Sequence, residues 1–317
     1  MSGDALTSAP PLPRLGDRIA ERVAERRSQI VLGIDPDPAR LWPAARSAAT
    51  PDRTDPLTQA GRAVAAHCRL LLDAAGPECV AVKFQVACFE RIGAPGWAAL
   101  TEAVAEARDR GLLVIADAKR GDIDISARAY GQAFFGGCES PFGALPGLGV
   151  DLLTASPLLG RDSLEALLAE ARAGNGGLFV LVRTSNPGAG DVQDRALADG
   201  GTVSDALAGL VSELGHPGLG AGGLTDVGAV VGATAPEHLE RLRRSMPDAV
   251  LLLPGIGAQG ATGEGLEAAF APGPAGGLIS ASRAIVYAAQ ARGGGDPADA
   301  ARAEAARLRE LVWNLYA

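Results

Sequence analysis

The sequence predicts an α/β chain folded as a single (β/α)8 barrel, a TIM barrel, on three observations. Eight short apolar runs recur along the chain with helix-like segments between them, which is the rhythm of strands and helices alternating around a parallel sheet. Polar residues stand at or just beyond the carboxyl ends of these runs: Asp35, Lys83, Asp117, Lys119, Ser156, Thr184 and Arg283. That is the end at which barrels gather their functional groups. The length, 317 residues at 47% hydrophobic content, suits one large barrel as well as two smaller domains. A doubly wound open sheet alternates similarly, so the barrel rests on the number eight and on the polar rim. The expected organisation is residues 1–317 as one domain, with an N-terminal extension (1–28), an insertion (188–225) and a C-terminal helix (296–316).

The elements follow in order. Leu15, Ile19 and Val23 fall at a four-residue spacing, one helical stripe from Leu15 to Arg27. The first strand, Gln29 to Ile34, runs into Asp35-Pro-Asp-Pro, where Asp37 and the prolines read as turn formers. A polar loop leads to Asp55 and a helix over 56–75, which holds His67 as a partly buried residue. Cys79 to Phe84 is the second strand, 95–110 a helix and Leu112 to Asp117 the third strand. A helix over 122–135 makes Asp122 a candidate N-cap. Strands at 149–154 and 178–183 flank a helix at 162–173. A long glycine-rich stretch, 188–225, reads as an excursion with one helix at 203–214. Strands at 227–233 and 249–253 enclose a helix at 236–245, and the eighth strand is 277–280. Asp296 caps the last helix, Pro297 takes its favoured first position, and Leu308, Leu311, Val312 and Leu315 form its apolar face.

Composition narrows the partners. A net charge of -8 and a pI near 5.0 argue against a general nucleic-acid or anionic-membrane surface, so any anion must meet a local site. The four cysteines, Cys68, Cys79, Cys88 and Cys138, match neither CxxC metal spacing nor a disulfide framework, and they read as thiols of a reducing cytoplasm. The N-terminus shows no signal-peptide pattern and no stretch approaches a membrane-spanning length.

The residues richest in chemistry lie in Leu112 to Tyr130. Side chains two apart in a strand share a face, so Asp117 and Lys119 leave the third strand together. Of 29 basic residues, 27 are arginine and only Lys83 and Lys119 are lysine. Where arginine fills every other basic position, these two mark places that need a compact cation able to release its proton. A salt-bridged rim is the bland alternative, but exposed pairs contribute only ~0–1 kcal/mol each and tolerate arginine. The alternating Asp117, Lys119 and Asp122, with Lys83, serve better as a preorganised electrostatic device, with Lys119 as proton donor. Later, Pro254-Gly-Ile-Gly-Ala-Gln-Gly260 formally satisfies a dinucleotide fingerprint but lacks its acidic partner. Its glycines instead let backbone N–H groups approach a phosphate, which Arg283 after the eighth strand completes. His67, His216 and His238 are scattered, which disfavours a histidine triad or zinc site.

Together, Asp-Ala-Lys-Arg-Gly-Asp-Ile (117 to 123), Asp35, Lys83, Thr-Ser-Asn-Pro (184 to 187), the 254–260 loop and Arg283 resemble the orotidine 5′-phosphate decarboxylases, in particular their longer bacterial subgroup. The resemblance spans residues 30 to 287. It implies a homodimeric barrel that converts orotidine 5′-phosphate to UMP and CO2 with neither metal nor organic cofactor. By position, it gives Asp35 and Lys83 to the ribose hydroxyls, sets Asp117 beside the substrate carboxylate and makes Lys119 the proton donor to C6. Asp122 and Ile123 then reach the partner subunit's site, and Ser126, where relatives often carry threonine, touches its ribose. Ser156 is expected at the pyrimidine edge, although relatives read Asn-Pro-Tyr where this chain has Ser-Pro-Leu. Gln259 and Arg283 grip the phosphate, and Thr184, Gly257, Gly260 and Ser282 complete the substrate contacts. Two rival readings remain: a metal-dependent phosphosugar barrel of the hexulose-phosphate synthase kind, and a non-catalytic barrel that binds a phosphate ligand.

Overall fold

A computed structural model describes residues 13–49, 55–232, 236–254 and 265–316. Eight strands, β1 (Ile30–Ile34), β2 (Ala81–Gln85), β3 (Leu113–Arg120), β4 (Leu152–Ala155), β5 (Gly177–Arg183), β6 (Val227–Val231), β7 (Leu251–Pro254) and β8 (Gly277–Ala281), close in sequence order into a barrel. Every neighbouring pair is parallel, and the β1–β8 pairing seals the cylinder. The expected (β/α)8 architecture is therefore the observed one.

Among the described residues twelve α-helices accompany the strands. They are α1 (Leu15–Arg26), α2 (Pro43–Ala48), α3 (Pro56–Ala75), α4 (Val86–Glu90), α5 (Ala94–Asp109), α6 (Asp124–Phe134), α7 (Arg161–Ala173), α8 (Val203–Gly215), α9 (Pro236–Ser245), α10 (Arg283–Val286), α11 (Ala288–Ala291) and α12 (Pro297–Tyr316). The short helix α2 lies in a stretch the sequence read as loop, and α4 in one between the second strand and the next helix that the sequence reading left unassigned. Most of 188–225 was expected to leave the scaffold, yet α8 at its centre packs on β5 and β6. Its start is fixed by a capping box between Thr202 and Asp205.

Two apolar shells follow from the two-residue period of the strands. Ile30, Leu32, Val114, Ala116, Leu153, Leu251 and Leu253 pack outward against the helices. Val31, Leu113, Ile115, Leu152, Phe179, Val230 and Leu252 pack inside the barrel, where they meet Leu15, Ile19 and Val23 of α1. Helix α1 thus plugs the amino end of the cylinder and leaves the carboxyl end for chemistry. His67 is buried edge-on to Trp42 with ring centroids 5.4 Å apart. Its Nδ1 accepts the Trp42 N–H at 3.3 Å, and burial pushes its pKa down to about 4. It is a neutral core residue. Asp296 caps α12 as expected, accepting from the N–H groups of Ala298 and Asp299. The buried face of α12 is Ala301, Ala305, Leu308 and Val312, whereas Leu315, placed on that face by periodicity, is exposed in the last turn. Among the described residues no helix is long and apolar enough to cross a membrane.

Candidate active site

The inward period of β2 carries Ala81 and Lys83, and that of β3 carries Leu113, Ile115 and Asp117. Toward the carboxyl ends of these strands the inward rows therefore carry charge, Lys83 on β2 and Asp117 on β3. Lys83 Nζ donates to Asp117 Oδ2 at 2.8 Å and lies 3.8 Å from Asp35 Oδ1 at the end of β1. Lys119 Nζ donates to Asp117 Oδ1 at 2.6 Å. Asp35, Lys83, Asp117 and Lys119 thus alternate in sign across three neighbouring strands, whereas the row read from the sequence ran through Asp122 rather than Asp35.

Asp117 is the hub. Besides the two ammonium groups, its Oδ1 accepts from Thr154 Oγ1 of β4 at 2.9 Å. With its amide turned to donate, Gln85 Nε2 reaches Asp117 Oδ2 at 2.7 Å. Four donors on two oxygens match what an ionised carboxylate can accept. Burial alone would raise the Asp117 pKa, but Lys83 and Lys119 override it and hold the group down at about 2. Burial likewise works against the Lys83 charge, but Asp117 and Asp35 outweigh it and its pKa lies above the ordinary lysine value. Lys83 and Asp117 are buried, whereas the Lys119 side chain keeps 46% of its surface exposed against 10% for that of Lys83.

A cavity of about 250 Å³ opens above this row, lined by Lys83, Asp117, Lys119 and Thr154 on one side and by Leu181, Val230, Leu252 and Pro254 on the other, with Thr184, Ser185 and Asn186 at its edge. Ser156 does not line it. Beyond the end of β4 its N–H pairs with Arg120 O, and it borders an adjacent cavity with Leu158, Val192 and Gln193. Ser185, from the same Thr-Ser-Asn-Pro run as Thr184, takes the place at the reaction cavity. Gly232 permits this, since a Cβ there would meet the Ser185 backbone at 2.9 Å. Thr184 is anchored by its N–H to Gln193 Oε1 at 2.8 Å.

On the β8 side, Ser282 Oγ donates to Asp35 Oδ2 at 2.7 Å and Arg283 opens α10 at the rim, exposed. Gly257, Gln259 and Gly260 lie outside the described residues. Asp122 stands apart from the charged row. Ile123, not Asp122, occupies the N-cap position of α6, and the Asp122 carboxylate accepts the Ile123 N–H at 2.9 Å. Ile123 and Ser126 are exposed. Among the described residues no three His, Cys, Asp or Glu side chains converge as a metal-binding group.

The model of the orotidine 5′-phosphate decarboxylase / HUMPS family matches residues 28–301. This chain belongs to that family. Two proteins named orotidine 5′-phosphate decarboxylase, from Rhodopirellula baltica and Deinococcus radiodurans, are 42% and 39% identical to it over 260 and 277 residues. The matches cover 81% and 87% of this chain and 83% and 90% of the relatives. The solved structure of the Leishmania donovani OMP decarboxylase superposes with a TM-score of 0.70 at 30% identity, over 94% of this chain and 98% of that one. Within the family frame, sequence reasoning missed Gln85, Thr154, Ser185 and the apolar wall. Thr154 and Gln85 had a legible signal, being inward-period positions at the ends of strands beside Asp117.

Proposed function

We infer that this chain decarboxylates orotidine 5′-phosphate to UMP and CO2, the step of pyrimidine biosynthesis that yields UMP, with Lys119 delivering the proton to C6. The observation that carries the chemistry is the row Asp35, Lys83, Asp117 and Lys119, alternating in sign, with its last three members on one wall of the cavity. Loss of CO2 breaks the bond between C6 and its carboxylate and leaves both electrons on C6, where the ring offers no sink. An adjacent ammonium stabilises that charge and then donates its proton to the carbon. Lys119 suits this role because its exposed side chain can be reprotonated from water between turnovers. Lys83, buried between two acids, serves as a fixed charge and a contact for the ribose.

Asp117, ionised at neutral pH, faces the substrate carboxylate in this reading. Two like charges ~4 Å apart at an effective dielectric of ~20 cost about 4 kcal/mol. Contacts remote from the reacting carbon offset that cost: Asp35 on the ribose, and Arg283 with Gln259, Gly257 and Gly260 on the phosphate, while Ser282 orients Asp35. Ser185 takes the pyrimidine edge in place of Ser156, supported by its position on the cavity. The enzyme works as a homodimer in which Asp122, Ile123 and Ser126 serve the partner's site. The Asp122 carboxylate is engaged by the Ile123 N–H, and Ile123, Ile125, Leu158 and Leu159 expose apolar surface after β3 and β4, the kind of patch that a subunit interface covers. The compartment is the reducing cytoplasm, in which four unpaired cysteines stay as thiols.

The test is to mix the protein with orotidine 5′-phosphate and follow the ultraviolet absorbance of the pyrimidine. Turnover that survives EDTA is expected. An unchanged spectrum at micromolar protein leaves only a phosphate-ligand binding barrel. Activity abolished by EDTA and restored by Mg2+ moves the chain to the metal-dependent phosphosugar enzymes.

A further inference from the structure

Strands β3 and β4 pair regularly up to Ala116 opposite Leu153, and pairing resumes with Arg120 opposite Ala155. Between those points β3 spends Asp117, Ala118 and Lys119 where β4 spends only Thr154, so β3 bulges by two residues at the centre of the charged row. Lys119 sits within the bulge at a φ of 50°, the left-handed region that a residue with a side chain rarely adopts. A bulge withdraws backbone groups from the ladder, and a buried N–H left without an acceptor is unfavourable.

The Thr154 hydroxyl answers both problems. Its Oγ1 accepts the Lys119 N–H at 2.9 Å and donates its own hydrogen to Asp117 Oδ1 at 2.9 Å. Thr154 is itself buried, on the inward face of β4, and its β-branched side chain has little rotamer freedom. In a regular strand the Cα atoms of Asp117 and Lys119 would stand roughly 7 Å apart along a straight run. Here the bulge folds that run, and Lys119 Nζ reaches Asp117 Oδ1 at 2.6 Å. One hydroxyl is therefore bonded at once to the backbone of the proton donor and to the carboxylate that faces the substrate.

We propose that Thr154 is a positioning residue for the decarboxylation, its hydroxyl holding the Lys119 backbone and the Asp117 carboxylate in the geometry that aims both at C6. The inference rests on the decarboxylase reading above and adds to it a residue that the charged row does not contain. Hydrogen bonds to a charged group are the stronger kind, so deleting this one lowers kcat by about 10- to 100-fold.

The experiment compares Thr154→Val, which keeps the shape and removes the hydroxyl, with Thr154→Ser, which keeps the hydroxyl. kcat, KM for orotidine 5′-phosphate, UMP affinity and thermal melting are measured for each. The expected result is a kcat loss in the valine variant alone, with KM and UMP affinity within about threefold of wild type and a folded melting profile. A valine variant that turns over within about twofold of wild type overturns the proposal. So does an equal loss in both variants, because keeping the hydroxyl would then confer no advantage. Should the valine variant fail to fold, Thr154→Ala supplies the same contrast with serine. A wild-type protein with no turnover overturns the decarboxylase reading and this inference with it. An active wild type with an equally active valine variant overturns this inference alone.

Discussion

Strands β2, β3 and β4 end their inward rows at the cavity in Lys83, Asp117 and Thr154, whereas β5, β6 and β7 end theirs in Leu181, Val230 and Leu252. The same closed sheet thus presents a charged wall and an apolar wall across one small space. The difference is chemical division of labour. An apolar wall can hold the face of a planar ring, and by excluding water it strengthens the field of the opposite charges. In the proposed reaction the charged wall acts on the edge of the ring that carries the leaving carboxylate. If this division is correct, changes on the charged wall act on kcat and changes on the apolar wall act on KM.

The largest expected effect comes from Lys119→Arg. The variant keeps a positive charge beside Asp117, yet a guanidinium does not release its proton at working pH. Turnover should fall by more than about 1000-fold while UMP still binds, as followed by single-turnover assays and calorimetry. Retained turnover would remove Lys119 as the proton source and reduce the charged wall to an electrostatic surface.

Next is the completion of that wall by a second copy. Lys119→Ala and Asp122→Ala should each be inactive, and mixing them should restore roughly a quarter of the wild-type sites, because half of randomly assembled C2 dimers are mixed and each carries one intact site. Co-purification through an affinity tag carried by only one of the two variants identifies the mixed dimer. A mixture that stays inactive despite forming it would place Asp122 in its own subunit's chemistry.

Acid should also separate the walls. The folded Asp117 pKa, about 2, lies below the ordinary carboxylate value. The folded state therefore holds fewer protons at this site than the unfolded state, and the stability so gained is fully present above the unfolded pKa of ~3.9 and lost as pH falls through about 2, amounting to about 2 kcal/mol. Asp117→Asn should melt below wild type at neutral pH and converge with it as pH approaches the folded value. Parallel melting curves across the whole acid range would show that the carboxylate carries no such linkage.

The charged wall was legible in the sequence and the apolar wall was not, for a physical reason. Lys83, Asp117 and Lys119 at strand ends cannot belong to an ordinary core, because a buried charge needs a partner and a purpose. Leu181, Val230 and Leu252 read in sequence like any buried strand residue, since nothing in a one-dimensional pattern says that the neighbour across the barrel is a ligand. The same blindness hid Thr154, whose role depends on a bulge, and register is a property of two strands. Ser156 was placed at the ring edge by resemblance alone, while Ser185, after the next strand, is the serine that lines the cavity. The eight strands and the cap at Asp296 were readable because they rest on local period and capping chemistry.

The smallest effect tests the apolar wall itself. Leu181 is half-buried and borders both the reaction cavity and the space beside Ser156. Truncation to alanine should remove contact with the ring while costing the barrel less than the same change at fully buried Leu252. Contacts with an unreacting ring face are made equally in the ground and transition states, so their loss appears in KM, by about tenfold, with kcat changed by less than about threefold. The opposite split is the informative failure. If Leu181→Ala lowers kcat and spares KM, the apolar wall acts by keeping water from the charged row, and the two walls would be one electrostatic device rather than a binding face and a reacting face.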